Sequence, residues 1–292
     1  METKVVLIPH DGTREASAAL VYARRLSDVL GATVVILHVS PAPIASESLQ
    51  RKLGLSAEEI KGCILESTVA KTAAEGIIRR AEQLRAKLIV ISSRADETKI
   101  GSVTAEVVKG ARCPVLAARS GLAPERLSAR SPAWRILVPH DASPATTEAV
   151  AWAAKLACGK NAHLDILHIV AAGEPAPAEP GSLPIGPYDD HQYYDLLSWT
   201  EEFLERLCVP ECMPRGLRPK IHLAHGEPAA EIIRFAETHA SDLIVVAWRG
   251  SLEEGRARVV RKLLARAPCP LLFIVPGALP GREQPSARNA PA

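Results

Sequence analysis

Apolar positions in this chain come in short runs that break off sharply into small polar residues. Residues 87–94 show the pattern best, reading Lys-Leu-Ile-Val-Ile-Ser-Ser-Arg. A run of that length, rich in branched residues, predicts a strand buried on both faces of a parallel sheet, with a polar loop at its carboxyl end. Much of it returns at residues 242–249 as Asp-Leu-Ile-Val-Val-Ala-Trp-Arg. Each copy follows a helical Ile-Ile-Arg-x-Ala-Glu segment, at Ile77–Glu82 and Ile232–Glu237, and leads to a Cys-Pro strand, at Cys113–Ala118 and Cys269–Val275. The chain therefore reads as two copies of one α/β unit, and a binding site is expected where this strand ends.

The first copy opens with the apolar run Lys4–Pro9, a predicted strand that ends in His10-Asp11-Gly12-Thr13. Asp and Gly suit a tight turn, and Thr13 or Asp11 can cap the following helix. Ala16, Ala19, Leu20, Ala23, Leu26 and Leu30 fall at helical spacing, and Gly31 stops that helix. Thr33–Val39 is the second strand, so the opening is a βαβ unit with parallel pairing and a right-handed crossover. Residues 41–75 read poorly. Leu49–Leu55 and Ala57–Cys63 have helical spacing. Ile64–Ala70 is the sole candidate for a third strand, but it lacks clean alternation and a following glycine, so it reads as degraded or replaced by helix. Residues 76–85 predict a helix, Lys87–Ile91 the fourth strand, 100–110 the last helix and Pro114–Ala118 the last strand.

Residues 122–133 carry Pro, Ser and charge without period and form a linker between units at 1–121 and 134–276. The second unit opens with Arg135-Ile-Leu-Val-Pro-His-Asp-Ala-Ser143, close to Val5–Thr13. A helix over Pro144–Cys158 and a strand over Leu164–Val170 follow. Residues 171–188 are rich in Pro, Gly and Ala and predict an extended loop; 190–207 predict an amphipathic helix. Lys220–His225, Asp242–Ala247 and Leu271–Val275 are strands, with helices over Ala229–His239 and Arg256–Ala267. Residues 277–292 predict a disordered tail.

Composition narrows the function. Of 292 residues, 47% are hydrophobic, enough for a core in each half, whereas 4% are aromatic, too few for a platform that stacks single-stranded nucleic acid. A net charge of +2, with its cations dispersed, gives no field for DNA or an anionic membrane. No apolar run approaches membrane-spanning length, and Met1-Glu-Thr-Lys lacks the shape of a signal peptide. Six cysteines without disulfide-framework spacing fit a reducing cytoplasm.

The strand ending in Val-Pro-x-Asp-[Gly/Ala]-[Ser/Thr], the Leu-His-[Val/Ile] second strand, the Leu-Ile-Val strand that leads to Arg, and the Gly-Ser-Val…Cys-Pro-Val-Leu finish resemble the universal stress protein family. The resemblance covers nearly all of Lys4–Ala118 and Arg135–Val275, so it is to a tandem form. It implies two Rossmann-like domains, each a five-stranded parallel sheet of order 3-2-1-4-5 with helices on both faces. In nucleotide-binding members of that family the Asp after strand 1 contacts adenine, and a G-x2-G-x9-G-[ST] loop after strand 4 holds ribose and phosphates. Carried over residue by residue, the candidate ligand contacts are Pro9, His10, Asp11 and Gly12 after strand 1, Val39 in strand 2, Ser92 and Arg94 after strand 4, and Gly101 and Ser102. In the second copy they are Asp141, Arg249 and Gly250. Neither copy keeps the whole loop. The first has Ser92-Ser-Arg-Ala95, a shortened loop, then Gly101-Ser102. The second has Ala247-Trp-Arg-Gly250, again a shortened loop, then Ala257-Arg258.

Each candidate has a plainer reading beside the functional one. Asp11 and Asp141 either touch a ligand or close a turn and cap a helix. Gly101 and Ser102 either hold phosphate or begin a helix in the ordinary way. Arg258 reads as a solvated helix arginine. His10 can approach His38, and His140 can approach His168; hydrogen-bonded packing suits them better than a metal, since no third ligand of fixed spacing is evident. Cys208 and Cys212 would need His222 or His225 to hold zinc. Cys113 and Cys269 read as small buried apolar residues. No nucleophile elbow or complete phosphate loop occurs.

The expectation is thus a non-enzymatic, cytoplasmic stress-response protein that acts by binding an unidentified protein partner. The alternative is a module that binds ATP or another adenine nucleotide mainly in domain 1. The last strands, at the sheet edge in the family order, should pair the two domains with each other; a homodimer of whole chains is a further option.

Overall fold

The structure is a computed structural model that describes residues 4–93, 101–122, 134–141, 144–157, 162–170, 217, 219–248 and 256–275. The expected loop at 171–188, the helix at 190–207, the tail, and the linker apart from residue 122 lie outside the described residues. In the first half the strands are β1 (Val5–Pro9), β2 (Thr33–Ser40), β3 (Cys63–Val69), β4 (Leu88–Ser93) and β5 (Val115–Arg119). The helices are α1 (Arg14–Leu30), α2 (Ser46–Leu53), α3 (Ala57–Ile60), α4 (Ala73–Gln83) and α5 (Ser102–Gly110). The second half adds β6 (Arg135–His140), α6 (Pro144–Ala157), β7 (His163–Val170), β8 (Lys220–His225), α7 (Pro228–Thr238), β9 (Leu243–Ala247), α8 (Arg256–Arg266) and β10 (Leu271–Ile274).

All ten strands join one sheet of order β3-β2-β1-β4-β5-β10-β9-β6-β7-β8. Each half has the order 3-2-1-4-5, with parallel pairing inside it. The halves meet where β5 pairs antiparallel with β10, Leu116 facing Leu272 and Val115 facing Phe273. Each last strand thus covers the edge of the other, as the tandem reading predicted. Side chains alternate across the sheet and build two apolar layers. Val6, Ile8, Leu116, Leu272 and Ile136 pack with α1 and α6 on one face. Leu7, Val35, Val115, Phe273 and Leu137 pack with α4, α5, α7 and α8 on the other. Both layers run through both halves.

Local chemistry explains the element ends. Thr13 caps α1 by accepting a hydrogen bond from the Ala16 N–H, and Gly31 ends it in the left-handed region at φ 60. Segment 46–60 buries Leu49, Leu53 and Leu55 in the α1 layer. Arg24 of α1 ties α3 down by donating to the carbonyls of Glu58, Glu59 and Lys61 at 3.2, 2.5 and 3.0 Å.

One expectation is corrected. β3 is neither degraded nor helical; it pairs with β2 from Cys63 opposite Val34 to Val69 opposite Ser40. It hid in the sequence because it is an edge strand with little to bury. Ile64 and Val69 are 48% and 45% exposed. Glu66 in its middle is neutralised by Arg80 of α4 at 2.7 Å. A half-solvated edge needs no strict apolar alternation.

Candidate functional site

β1 and β4 are neighbours at the point where the strand order reverses, so their carboxyl ends open the crevice in which such sheets bind ligands. After Pro9 the chain turns through His10, Asp11 and Gly12 into Thr13, the cap of α1. Gly12 adopts φ +89, and a β-carbon there would stand 3.5 Å from the Lys52 carbonyl oxygen. The end of α2 therefore lies against this turn.

His10 is buried and fully committed. Its backbone N–H donates to the Leu37 carbonyl at 2.8 Å. Its Nδ1 accepts the Gly12 N–H at 3.1 Å, which leaves the proton of the neutral ring on Nε2, 3.2 Å from Ser17 Oγ. Burial lowers its pKa against the opposing pull of Asp11, which suits the neutral form. His38 donates from Nδ1 to the His10 carbonyl at 2.9 Å. The second copy repeats this: His168 donates from Nδ1 to the His140 carbonyl at 2.9 Å. Burial pushes His140 down to about 4. The histidine pairs are thus hydrogen-bonded packing. Among the described residues no group of His, Cys, Asp and Glu is arranged to hold a metal.

Asp11 is exposed, and its Oδ1 accepts both the Thr13 N–H at 3.0 Å and the Thr13 hydroxyl at 2.5 Å. Partial burial opposes its charge, but the bonds from Thr13 and the nearby His10 outweigh that and hold its pKa below the usual value. Asp11 therefore closes the turn and also presents a fixed carboxylate at the crevice. Asp141 holds the equivalent place and accepts from the Thr146 hydroxyl at 3.2 Å.

Across the crevice, α5 starts at Gly101, which supplies no side-chain cap, and Ser102 is exposed in its first turn. Thr104 of that turn, buried, donates to the Ser92 carbonyl at 3.5 Å and fixes the start of α5 against β4. The helix start offers backbone N–H groups and the positive end of its dipole. Val39 of β2 packs against α4: its Cγ1 stands 2.6 Å from where a β-carbon on Gly76 would be. Arg94, Arg249 and Gly250 lie outside the described residues, as do Cys208 and Cys212.

The remaining candidates lie away from this crevice or on its far side in the second half. Arg258 is exposed on α8. His222 sits 2.8 Å from the buried Asp165 and edge-on to Phe235. Burial raises the thiol pKa of both Cys113 and Cys269, the former to about 12, so neither is a ready thiolate. Ser17, Thr104 and Thr146 escaped the sequence reading. Each is a small hydroxyl near the start of a helix that follows a sheet strand, a weak signal without the pairing that gives it a partner.

The Universal stress protein family model matches residues 2–119 and 134–275. Among solved structures, a universal stress protein from Archaeoglobus fulgidus DSM 4304 aligns with a TM-score of 0.64 at 18% identity, covering 95% of this chain and 100% of that one. A putative universal stress protein from Pseudomonas aeruginosa UCBPP-PA14 aligns with a TM-score of 0.63 at 13% identity, covering 94% and 93%. A functionally unknown protein from Pseudomonas aeruginosa PAO1 gives 0.59 at 14%, covering 94% and 93%. At these identities the likeness is one of fold. No curated protein matches the chain.

Proposed function

The chain belongs to the universal stress protein family, and from that membership we propose that it serves the stress response in the cytoplasm by binding, not by turnover. The observation that carries this is the state of His10. A general base needs a ring nitrogen within reach of a substrate proton. Here Nδ1 is spent on Gly12 and Nε2 faces Ser17, with the ring buried. The shortened loops after β4 and β9 argue against a full triphosphate cradle, and the two halves joined in one sheet are suited to presenting a surface to a protein partner.

A second reading is favoured by one observation in the first half. Thr104 anchors the uncapped start of α5 beside β4, next to the β1 turn that carries Asp11. Carboxylate and helix start would then hold the base and the phosphate of an adenine nucleotide, with domain 1 as the holder, since only it keeps Gly101-Ser102. Mass spectrometry of small molecules released from the purified protein by mild denaturation tests the choice. A stoichiometric adenine nucleotide favours the second reading. Its absence, with no heat in calorimetric titration of ATP, favours the first. If nucleotide binds, Asp11→Ala should weaken it far more than Asp141→Ala.

A further inference from the structure

The two halves differ in chemistry at one matching place, at the carboxyl ends of β4 and β5 and of β9 and β10. Backbone bonds fix the correspondence. The Ile89 N–H donates to the Pro114 carbonyl at 3.0 Å, as the Ile244 N–H does to that of Pro270 at 3.1 Å. Equal spacing from these bonds sets Ser93 against Trp248, Ala117 against Phe273 and Arg119 against Val275. The ungapped run from the last helix to each Cys-Pro sets Thr104 against Val260. In the second half the place is sealed. Trp248 is 4% exposed and stands edge-on to Phe273, with ring centres 5.8 Å apart, and Val260 and Val275 join the same apolar layer. In the first half the same four positions hold serine, alanine, arginine and threonine, which cannot supply that close apolar packing.

Ser93 and Arg119 stand side by side. They are register partners in the parallel pair of β4 and β5, and the Ser120 N–H donates to the Ser93 carbonyl at 2.8 Å. Each lies two residues beyond a member of the layer under α4 and α5, Ile91 and Ala117, so both side chains face that layer. Neighbouring strands stand about 4.8 Å apart, which lets a hydroxyl and a guanidinium on them reach one common group. Neither has such a group within the chain. Ser93 is 0% exposed, yet its Oγ has no hydrogen-bond partner, and the buried Nε of Arg119 has none. Among the described residues no carboxylate pairs with Arg119. Buried donors left unanswered are costly, and two of them at one place call for an acceptor that serves both.

We propose that Ser93 and Arg119 form an oxyanion site between β4 and β5 that takes a small tetrahedral anion of the inorganic phosphate class. The guanidinium offers a planar fork of donors, and the serine offers another from the neighbouring strand. Acceptors in more than one plane meet both, as a phosphate supplies them and a carboxylate does not. Arg119 is only partly buried, so the anion has an approach from its outer end. The site is distinct from the crevice at Asp11. That crevice lies between β1 and β4, and Asp11 leads into α1 on the opposite face of the sheet. It therefore needs no nucleotide. With apolar residues at all four matching positions of the second half, the chain takes a single such anion.

Thermal unfolding of the full chain in sodium phosphate, against sodium chloride of equal ionic strength and pH, tests this. At ten times the dissociation constant phosphate should raise Tm by about 3 °C over the chloride control. Arg119→Met, which keeps an apolar stem, should weaken the response about tenfold in concentration. Ser93→Ala should weaken it about fivefold; because it removes a buried hydroxyl that has no partner, Tm without phosphate should hold or rise. Lys109→Met, at an exposed cation on α5, should keep the full response. The site is overturned if the wild-type chain shows no shift beyond chloride, if Arg119→Met responds undiminished, if Ser93→Ala lowers Tm without phosphate, or if Lys109→Met loses as much as Arg119→Met. A shift with adenosine monophosphate and none with phosphate would also overturn it, since the anion contact would then belong to a nucleotide in the β1–β4 crevice.

Discussion

The β5–β10 joint can be tested through Leu116 and Leu272. The two stand directly opposite each other in the antiparallel pair, each 1% exposed and in the same apolar layer. Truncating either to alanine removes a fully buried side chain and leaves a cavity where the sheet joins, at a cost of about 2–5 kcal/mol. At about 3 °C per kcal/mol for a chain of this size, Tm should fall by about 6–15 °C. The more telling quantity is the coupling. Residues facing across a strand pair interact, so the double variant should lose less than the sum of the single losses, by about 1 kcal/mol or more. Urea unfolding of the wild-type, both single variants and the double variant, followed by far-ultraviolet circular dichroism, supplies all four free energies. Because both apolar layers run through both halves, all four chains should unfold in one transition. Strict additivity, or two separated transitions with Leu116→Ala touching one and Leu272→Ala the other, would refute the shared core.

Three further outcomes follow from the β1 and β6 turns. Gly12→Ala places a side chain at φ +89, with α2 overhead, and should cost about 1–2 kcal/mol in urea unfolding; an unchanged midpoint would mean that the turn relaxes. Thr13→Ala removes the cap of α1 and the bond that fixes Asp11, and should cost about 1 kcal/mol. His140 has its folded pKa lowered from 6.5 to about 4. Below pH 6.5 the unfolded chain takes up a proton that the folded one refuses, so stability should fall as pH drops toward 4, by up to about 1.4 kcal/mol per pH unit. His140→Gln should flatten that slope, and parallel curves for variant and wild type would sink the assignment.

How much of this could be read from the sequence depended on burial. Strands such as Leu88–Ser93 and Leu271–Ile274 were legible because both faces are covered, so every position is under the same demand for an apolar side chain. β3 was not, because its outer edge is solvated and Glu66 is tolerated once Arg80 reaches it. The turn at Asp11 was legible because Asp, Gly and Thr do their local work with near neighbours in sequence. The same locality hid its use, since a carboxylate that closes a turn and one that meets a ligand carry the same residue at the same place.

The tandem arrangement separates two tasks that a single unit would have to combine. The contacts between halves use the last strands and, just ahead of β6, Trp134, over which Arg25 of α1 stands. The candidate ligand contacts use the carboxyl ends of β1, β4 and β6: Asp11, Ser92 and Asp141. The amino end of β6 thus meets the opposite half, while the carboxyl ends of β1, β4 and β6 are left for recognition. The residues between these ends are among the most buried of the described residues, with Leu7, Ile89, Leu137 and Ile244 at 0% exposure. A close-packed strand passes on a displacement instead of absorbing it. In a single unit the last strand would be an open edge, with no opposing half to cover it.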